Sequence, residues 1–362
     1  MADRKNLLGE APIGKLLRQF AIPSIIAMLV GALYNIVDQM FIGHAVGELG
    51  NAATNIAFPL SISCTSLSLL FGIGGASAFN LTMGEGDKEK APFFIGNSVS
   101  VVVIFGAILA IATELFLEPM LLFFGSPENV LPFAKEYTRI TAIGFPVLIL
   151  QICGAHLIRA DGSPKYSMLS NLTGAIVNTV LDALFINVLG MGMKGAALAT
   201  IIGQFVSGIM VVAYLCHYKT VALKLVHFIP RLRYFGRSAS LGTAAFFNQV
   251  AMMVVQIIMN NSLKYYGARS VYGESVPIAC AGIISKVGMM FFSFIIGISQ
   301  GLQPIASFNY GAKKYSRVKK AVLLALGSGF VLSVIAFWYS RFSRFRLSGS
   351  LEREQKSIIL LR

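Results

Sequence analysis

Charge is scarce in this sequence. Asp, Glu, Lys and Arg supply 13% of its 362 residues, where a soluble domain carries about 25%. A chain this poor in charge cannot coat a soluble surface of its size, which excludes an ordinary soluble enzyme, a disordered chain and a coiled coil. Negative charge is scarcest: 16 acidic residues face 30 basic ones, a net charge of +14. The basic residues sit in short loops between apolar runs, a pattern that sets membrane orientation and gives no reason to expect nucleic acid as a partner. The four cysteines, Cys64, Cys153, Cys216 and Cys280, form no CxxC pair. They read as small apolar packing residues, not as a disulfide framework or zinc site. No two of the four histidines stand at metal-ligand spacing. Walker A and G-x-S-x-G patterns are missing, and no loop exceeds about 25 residues. The chain therefore reads as neither an enzyme nor an ATP-driven pump, and no cofactor is expected.

Apolar sequence is abundant. Hydrophobic residues make up 56% of the chain, and the mean hydropathy is +0.72. Nine segments are long enough to span a bilayer, near residues 18–42, 53–79, 93–116, 137–158, 168–190, 195–216, 239–262, 277–301 and 320–340. The first is too long for a cleaved signal and contains Asp38. Eighteen Lys and Arg residues fall on the N-terminal side of these spans and five (Lys135, Arg139, Lys194, Lys264 and Arg269) on the other. The bias predicts a cytoplasmic N-terminus in a multi-pass protein of the cytoplasmic membrane.

An internal repeat organises the spans. Gly72…Phe79-Asn80 closes the second and Gly301…Phe308-Asn309 the eighth, both fitting G-x6-F-N, and each precedes a basic Gly-containing loop. Six spans fill one period, so the two copies insert the same way up, as two lobes about an axis along the membrane normal. The predicted division is a first six-helix lobe over 1–216, a basic cytoplasmic linker over 217–237 and a partial second lobe of three helices over 238–340. The remaining 341–362 reads as an aberrant basic tail. Arg341, Arg344 and Arg346 there would lie on the outer side, against the charge bias, so the chain reads as C-terminally shortened by about three helices.

An ionisable residue within a span is a functional candidate because burying its charge is costly. Asp38 lies late in the first span, and Asn178 and Asp182 share one face of the fifth at i, i+4. Helix rise places both acids and Thr200 of the sixth span in the outer half of the first lobe. Two carboxylates, an amide and a hydroxyl form an all-oxygen cluster, able to hold a hard cation such as Na+ or to share a proton. No other metal site is expected. In the second lobe Asn248, Gln249, Met252, Lys286 and Met290, with Phe246, Phe247, Phe291 and Phe292 nearby, are candidates to line a substrate cavity; flexible thioethers and rings suit amphipathic, often cationic molecules. Glu114 and Glu118, at the end of the third span, read as interface residues.

The residues taken in order resemble the MATE (multidrug and toxic compound extrusion) transporters, on their DinF-like or MepA-like bacterial branch. The carrying segments are Pro23…Leu33-Tyr34-Asn35-Ile-Val-Asp38-Gln-Met-Phe41-Ile-Gly43, Gly72…Phe79-Asn80, Arg159-Ala-Asp-Gly162-Ser-Pro164-Lys165, Asn178-Thr-Val-Leu-Asp182 and Gly195-Ala-Ala-Leu-Ala-Thr200. The resemblance implies an all-α membrane fold of two six-helix lobes, and efflux of drugs or toxic organic cations by antiport against H+ or Na+. It also implies that Asp38, Asn178, Asp182 and Thr200 match the first-lobe cation or proton site, with Tyr34 joining them. Some branches use acids in helices seven and ten; here helix seven offers Asn248 and Gln249, which favours coupling through the first lobe. The expected partners are small-molecule drugs and membrane lipid, and the expected state is a monomer. Two alternatives stand beside this expectation: a flippase for lipid-linked substrates on the same superfold, and a non-functional truncated remnant.

Overall fold

The computed structural model describes residues 7–271 and 273–360, with the main chain alone at 7, 283, 286, 287, 336 and 339–360. The helices are α1 (Leu7–Glu10), α2 (Ile13–Ala45), α3 (Glu48–Glu85), α4 (Ala91–Leu115), α5 (Leu117–Phe123), α6 (Leu131–Ile143), α7 (Phe145–Ala160), α8 (Pro164–Asp182), α9 (Gly192–Cys216), α10 (Leu232–Gly267), α11 (Ser275–Gly311) and α12 (Tyr315–Leu360). No strand occurs among the described residues. Proline sets several starts: α4, α6, α7 and α8 each carry one in the first two positions, where the missing N–H has no helical partner to lose. Gly86, at φ +89, ends α3 in a left-handed cap closed to both a large side chain and a continued helix.

Eight described helices are long and apolar enough to cross a membrane, and nine if the bent pair α6 and α7 counts as one. That pair covers the predicted 137–158 span but bends by 59° at Gly144, where Pro146 removes an N–H. Several helices extend beyond the predicted spans, α3 over 38 residues and α10 over 36. The helix that starts at Tyr315 continues as main chain through Leu360. The side chains of 339–362, including Arg341, Arg344 and Arg346, lie outside the described residues.

Glycine sets the closest packing. A Cβ on Gly203 of α9 would stand 2.7 Å from the Gly174 carbonyl of α8. On Gly242 of α10 it would stand 1.9 Å from the Leu70 carbonyl of α3, and on Gly301 of α11 2.5 Å from the Ala21 nitrogen of α2. Small residues let backbones touch where lipid gives no hydrophobic drive to association. The repeats cross each other at the N-terminal side: Gly84 faces the Phe308 carbonyl and Gly311 the Leu81 carbonyl. Two apolar cores result. The larger runs from Ile42 through α3–α9 to Ile278 and Ala279. The smaller joins Ile13, Leu16, Leu17 and Phe20 of α2 to Ile298 and Ile305 of α11 and Ala321 of α12. Helix α2 thus roots its first half among α11 and α12, and its second half packs on α8.

Of the cysteines, Cys64 and Cys153 are buried as packing residues, whereas Cys216 and Cys280 are exposed on their helices. Glu114 and Glu118 are partly exposed and pair with Arg139 at 3.6 Å and Lys135 at 2.5 Å.

Candidate functional site

Asp182 ends the regular part of α8. The next six residues, Ala183–Val188, form a π turn, a local widening that is often found at functional positions. Asp182 is 0% exposed, and neither carboxylate oxygen has a hydrogen-bond partner in the protein. One turn earlier Asn178 is 3% exposed, and its amide oxygen and nitrogen are also unpartnered. Burying such groups without partners costs about 1–3 kcal/mol for the amide and more for a charge. The chain tolerates that cost at two adjacent positions of one face.

Helix α2 brings Asp38, 6% exposed, into electrostatic contact with Asp182. Tyr34, one turn before Asp38, interacts with both acids. Thr200 of α9 is half-buried and meets the Tyr137 hydroxyl of α6, and Tyr137 in turn lies within electrostatic reach of Asp38, Tyr34 and Asp182. The predicted first-lobe residues therefore gather in one place, from α2, α8 and α9. Sequence reading missed Tyr137. It lies on the amphipathic helix α6, where an interfacial tyrosine is ordinary, and only the α6–α9 packing reveals its position.

The predicted second-lobe lining is looser. Asn248 and Met252 are exposed, Gln249 and Met290 partly buried, and the side chain of Lys286 lies outside the described residues. A shallow open pocket of about 470 Å³ lies elsewhere, at the start of α12, lined by Ser316, Lys319, Lys320, Leu323 and Leu324. It contains none of the predicted residues.

Two polar groupings were not anticipated. Asn55 of α3 donates to the Asn260 side chain at 3.1 Å and to the Ile278 carbonyl at 3.2 Å, and Gln256 donates to Asn55 at 3.2 Å. These buried amides tie α3 to α10 and α11. Gln256 and Asn260 share an i, i+4 face, the same signal that singled out Asn178 and Asp182. The second grouping is at the end of α7. Arg159, 2% exposed, donates to Ser167 at 3.0 Å, and buried His156 interacts with Gln303 of α11. Gln303 donates to the Ile73 carbonyl at 3.0 Å and to Ser77 at 3.1 Å.

No group of three or more His, Cys, Asp or Glu residues that could hold a metal ion occurs among the described residues. An oxygen cluster with only two acids is not such a group.

Fold and site together define a polytopic α-helical membrane protein with a buried acidic cluster where α2 meets α8. The MatE family model matches residues 23–184 and 244–359. The chain belongs to the MatE family of membrane transporters. The multidrug export protein MepA of Staphylococcus aureus is 25% identical over 333 residues, which are 90% of this chain and 72% of that protein. An FAD transporter of Shewanella oneidensis is 26% identical, over 90% of this chain and 71% of its own. Among solved structures, the MATE multidrug transporter DinF-BH, solved as a complex, superposes with a TM-score of 0.84 at 32% identity, covering 91% of this chain and 72% of that one. A MOP superfamily transporter from Pyrococcus furiosus, at 23% identity and a TM-score of 0.82, shares the fold.

Proposed function

We propose that this chain exports amphipathic, often cationic small molecules across the cytoplasmic membrane in exchange for H+ or Na+. The observation that carries the reading is the buried, unpartnered carboxylate of Asp182 beside unpartnered Asn178 and the second acid Asp38. Two carboxylates in a desolvated bundle repel each other, so a proton or a small cation between them is favoured. Tyr34, Tyr137 and Thr200 supply hydroxyls at the rim of the cluster. A proton or Na+ bound there leaves the pair with a single negative charge and relieves its repulsion, and loss of the ion restores it, so occupancy biases how α2 sits on α8. Because α2 is rooted among α11 and α12 at its other end, such a shift reaches the second bundle.

The exported class is supported by the relatives named for multidrug export and by the Met- and Phe-rich face of α10 and α11. The two-lobe division at 217–237 and a cytoplasmic N-terminus belong to the same proposal, on the repeat and the charge bias. The test is dye efflux from cells expressing Asp182→Asn or Asp38→Asn. We expect folded protein at normal level but loss of ethidium efflux and of its dependence on the proton or sodium gradient. Efflux and gradient dependence equal to the parent in Asp182→Asn would overturn the reading.

A further inference from the structure

The connection between α9 and α10 is not a slack linker. At its start Asp161 accepts hydrogen bonds from the Lys219 amide at 2.8 Å, the Thr220 amide at 2.9 Å, the Thr220 hydroxyl and the Tyr214 hydroxyl at 2.7 Å. Further along it crosses α4. There Asn97, 1% exposed, donates to the carbonyls of His227 at 3.0 Å and Ile229 at 3.2 Å and accepts from the Arg231 amide at 2.6 Å. Ser100 donates to the Phe228 carbonyl at 2.5 Å. Gly96 leaves room for the strap: a Cβ there would stand 2.3 Å from the His227 carbonyl oxygen.

His227 closes the turn at the centre of this strap, Leu225–Phe228. It is 8% exposed. Its Nδ1 accepts the Lys224 amide at 3.0 Å, which requires a neutral ring with its proton on Nε2. Its edge rests on Phe93 at 4.6 Å. The other face-partners of Phe93 are Tyr234 and the Arg231 guanidinium. The charged groups facing the ring are Lys224 and Arg231 of the strap. The α4 residues beneath it, Phe93, Gly96 and Asn97, carry no charge, and Tyr234 of α10 is neutral. No carboxylate is among the neighbours that act on the ring.

We propose that His227 is a pH-released latch, which clasps the α9–α10 connection onto α4 while neutral and frees it when protonated. A proton on Nδ1 would oppose the Lys224 amide proton, abolishing the turn's closing bond, and would place a third cation between Lys224 and Arg231. Burial first, and those two cations next, hold the docked ring below the ordinary histidine value of about 6.5. The sign follows: a group whose pKa is depressed on docking binds its proton more readily when undocked, so docking is complete above pH 6.5 and weakens as pH falls below it, by up to about tenfold per pH unit. The inference rests on the strap alone and is independent of the ion-coupling proposal.

The experiment is hydrogen–deuterium exchange on the full chain in nanodiscs at pH 7.5 and 5.5, corrected for intrinsic rates, with α4 amides as reference. We expect residues 221–231 to lose protection at pH 5.5 in the parent, by up to about tenfold, and to keep it in His227→Gln. Asn97→Ala, which cuts the strap's main-chain anchors, should show low protection at both pH values and so set the undocked baseline. Unchanged strap protection in the parent across this range would overturn the proposal, whatever the variants do; so would an equal loss in His227→Gln.

Discussion

Asn178 and Asp182 stand one turn apart on the same face of α8, both buried, and neither side chain has a hydrogen-bond partner in the protein. Membrane helices rarely keep such a pair without a use for it.

The glycine contacts are backbone-to-backbone, so they should tolerate no side chain. A Cβ at Gly84 would lie 2.2 Å from the Phe308 carbonyl and at Gly311 2.1 Å from the Leu81 carbonyl. Gly84→Ala and Gly311→Ala should each destabilise by about 1–3 kcal/mol through overpacking. Gly327 has nothing within 4 Å, so Gly327→Ala should be neutral or stabilising by up to about 1 kcal/mol. Thermal unfolding of the three variants in one detergent checks the ordering.

Asn55 bridges α3 to both α10 and α11. Asn55→Ala leaves Gln256, Asn260 and the Ile278 carbonyl short of a partner and should lower stability by about 1–3 kcal/mol. A double-mutant cycle with Asn260→Ala should give a coupling of about 0.6 kcal/mol, the average for hydrogen bonds between membrane helices, and at most about 1.7 kcal/mol. A coupling near zero would mean that the triad does not hold the helices together.

The ion pairs that join α6 to α4 and α5 should matter little. Glu118 with Lys135 and Glu114 with Arg139 are partly exposed, and such pairs contribute about 0–1 kcal/mol. Glu118→Gln should leave the melting temperature within about 2 °C of the parent at 0.15 M salt.

Much of this was legible in the sequence, for identifiable reasons. Span positions follow from hydropathy, because an unpaired backbone in lipid allows helices only. Asp38, Asn178 and Asp182 announce themselves because any charge or amide is conspicuous in an apolar run. Tyr137 did not, since a tyrosine near a span end is unremarkable. Arg159 and His227 stand in or beside segments that composition marks as polar loop, and only tertiary packing buries them. The bend at Gly144 and the π turn after Asp182 interrupt segments that hydropathy averages into single spans. A Pro two residues after Gly144 carried that signal for the first; nothing in Ala183–Val188 carries it for the second.

The most direct test of the central claim is proton and sodium exchange at the acidic cluster itself. Purified parent protein in weakly buffered detergent solution is challenged with NaCl and then with ethidium, against a KCl control, and released protons are followed with a pH dye. The account predicts stoichiometric proton release by the parent on adding Na+ or ethidium, and loss of that release in Asp182→Asn. No release from the parent under either challenge, or equal release from Asp182→Asn, would contradict it.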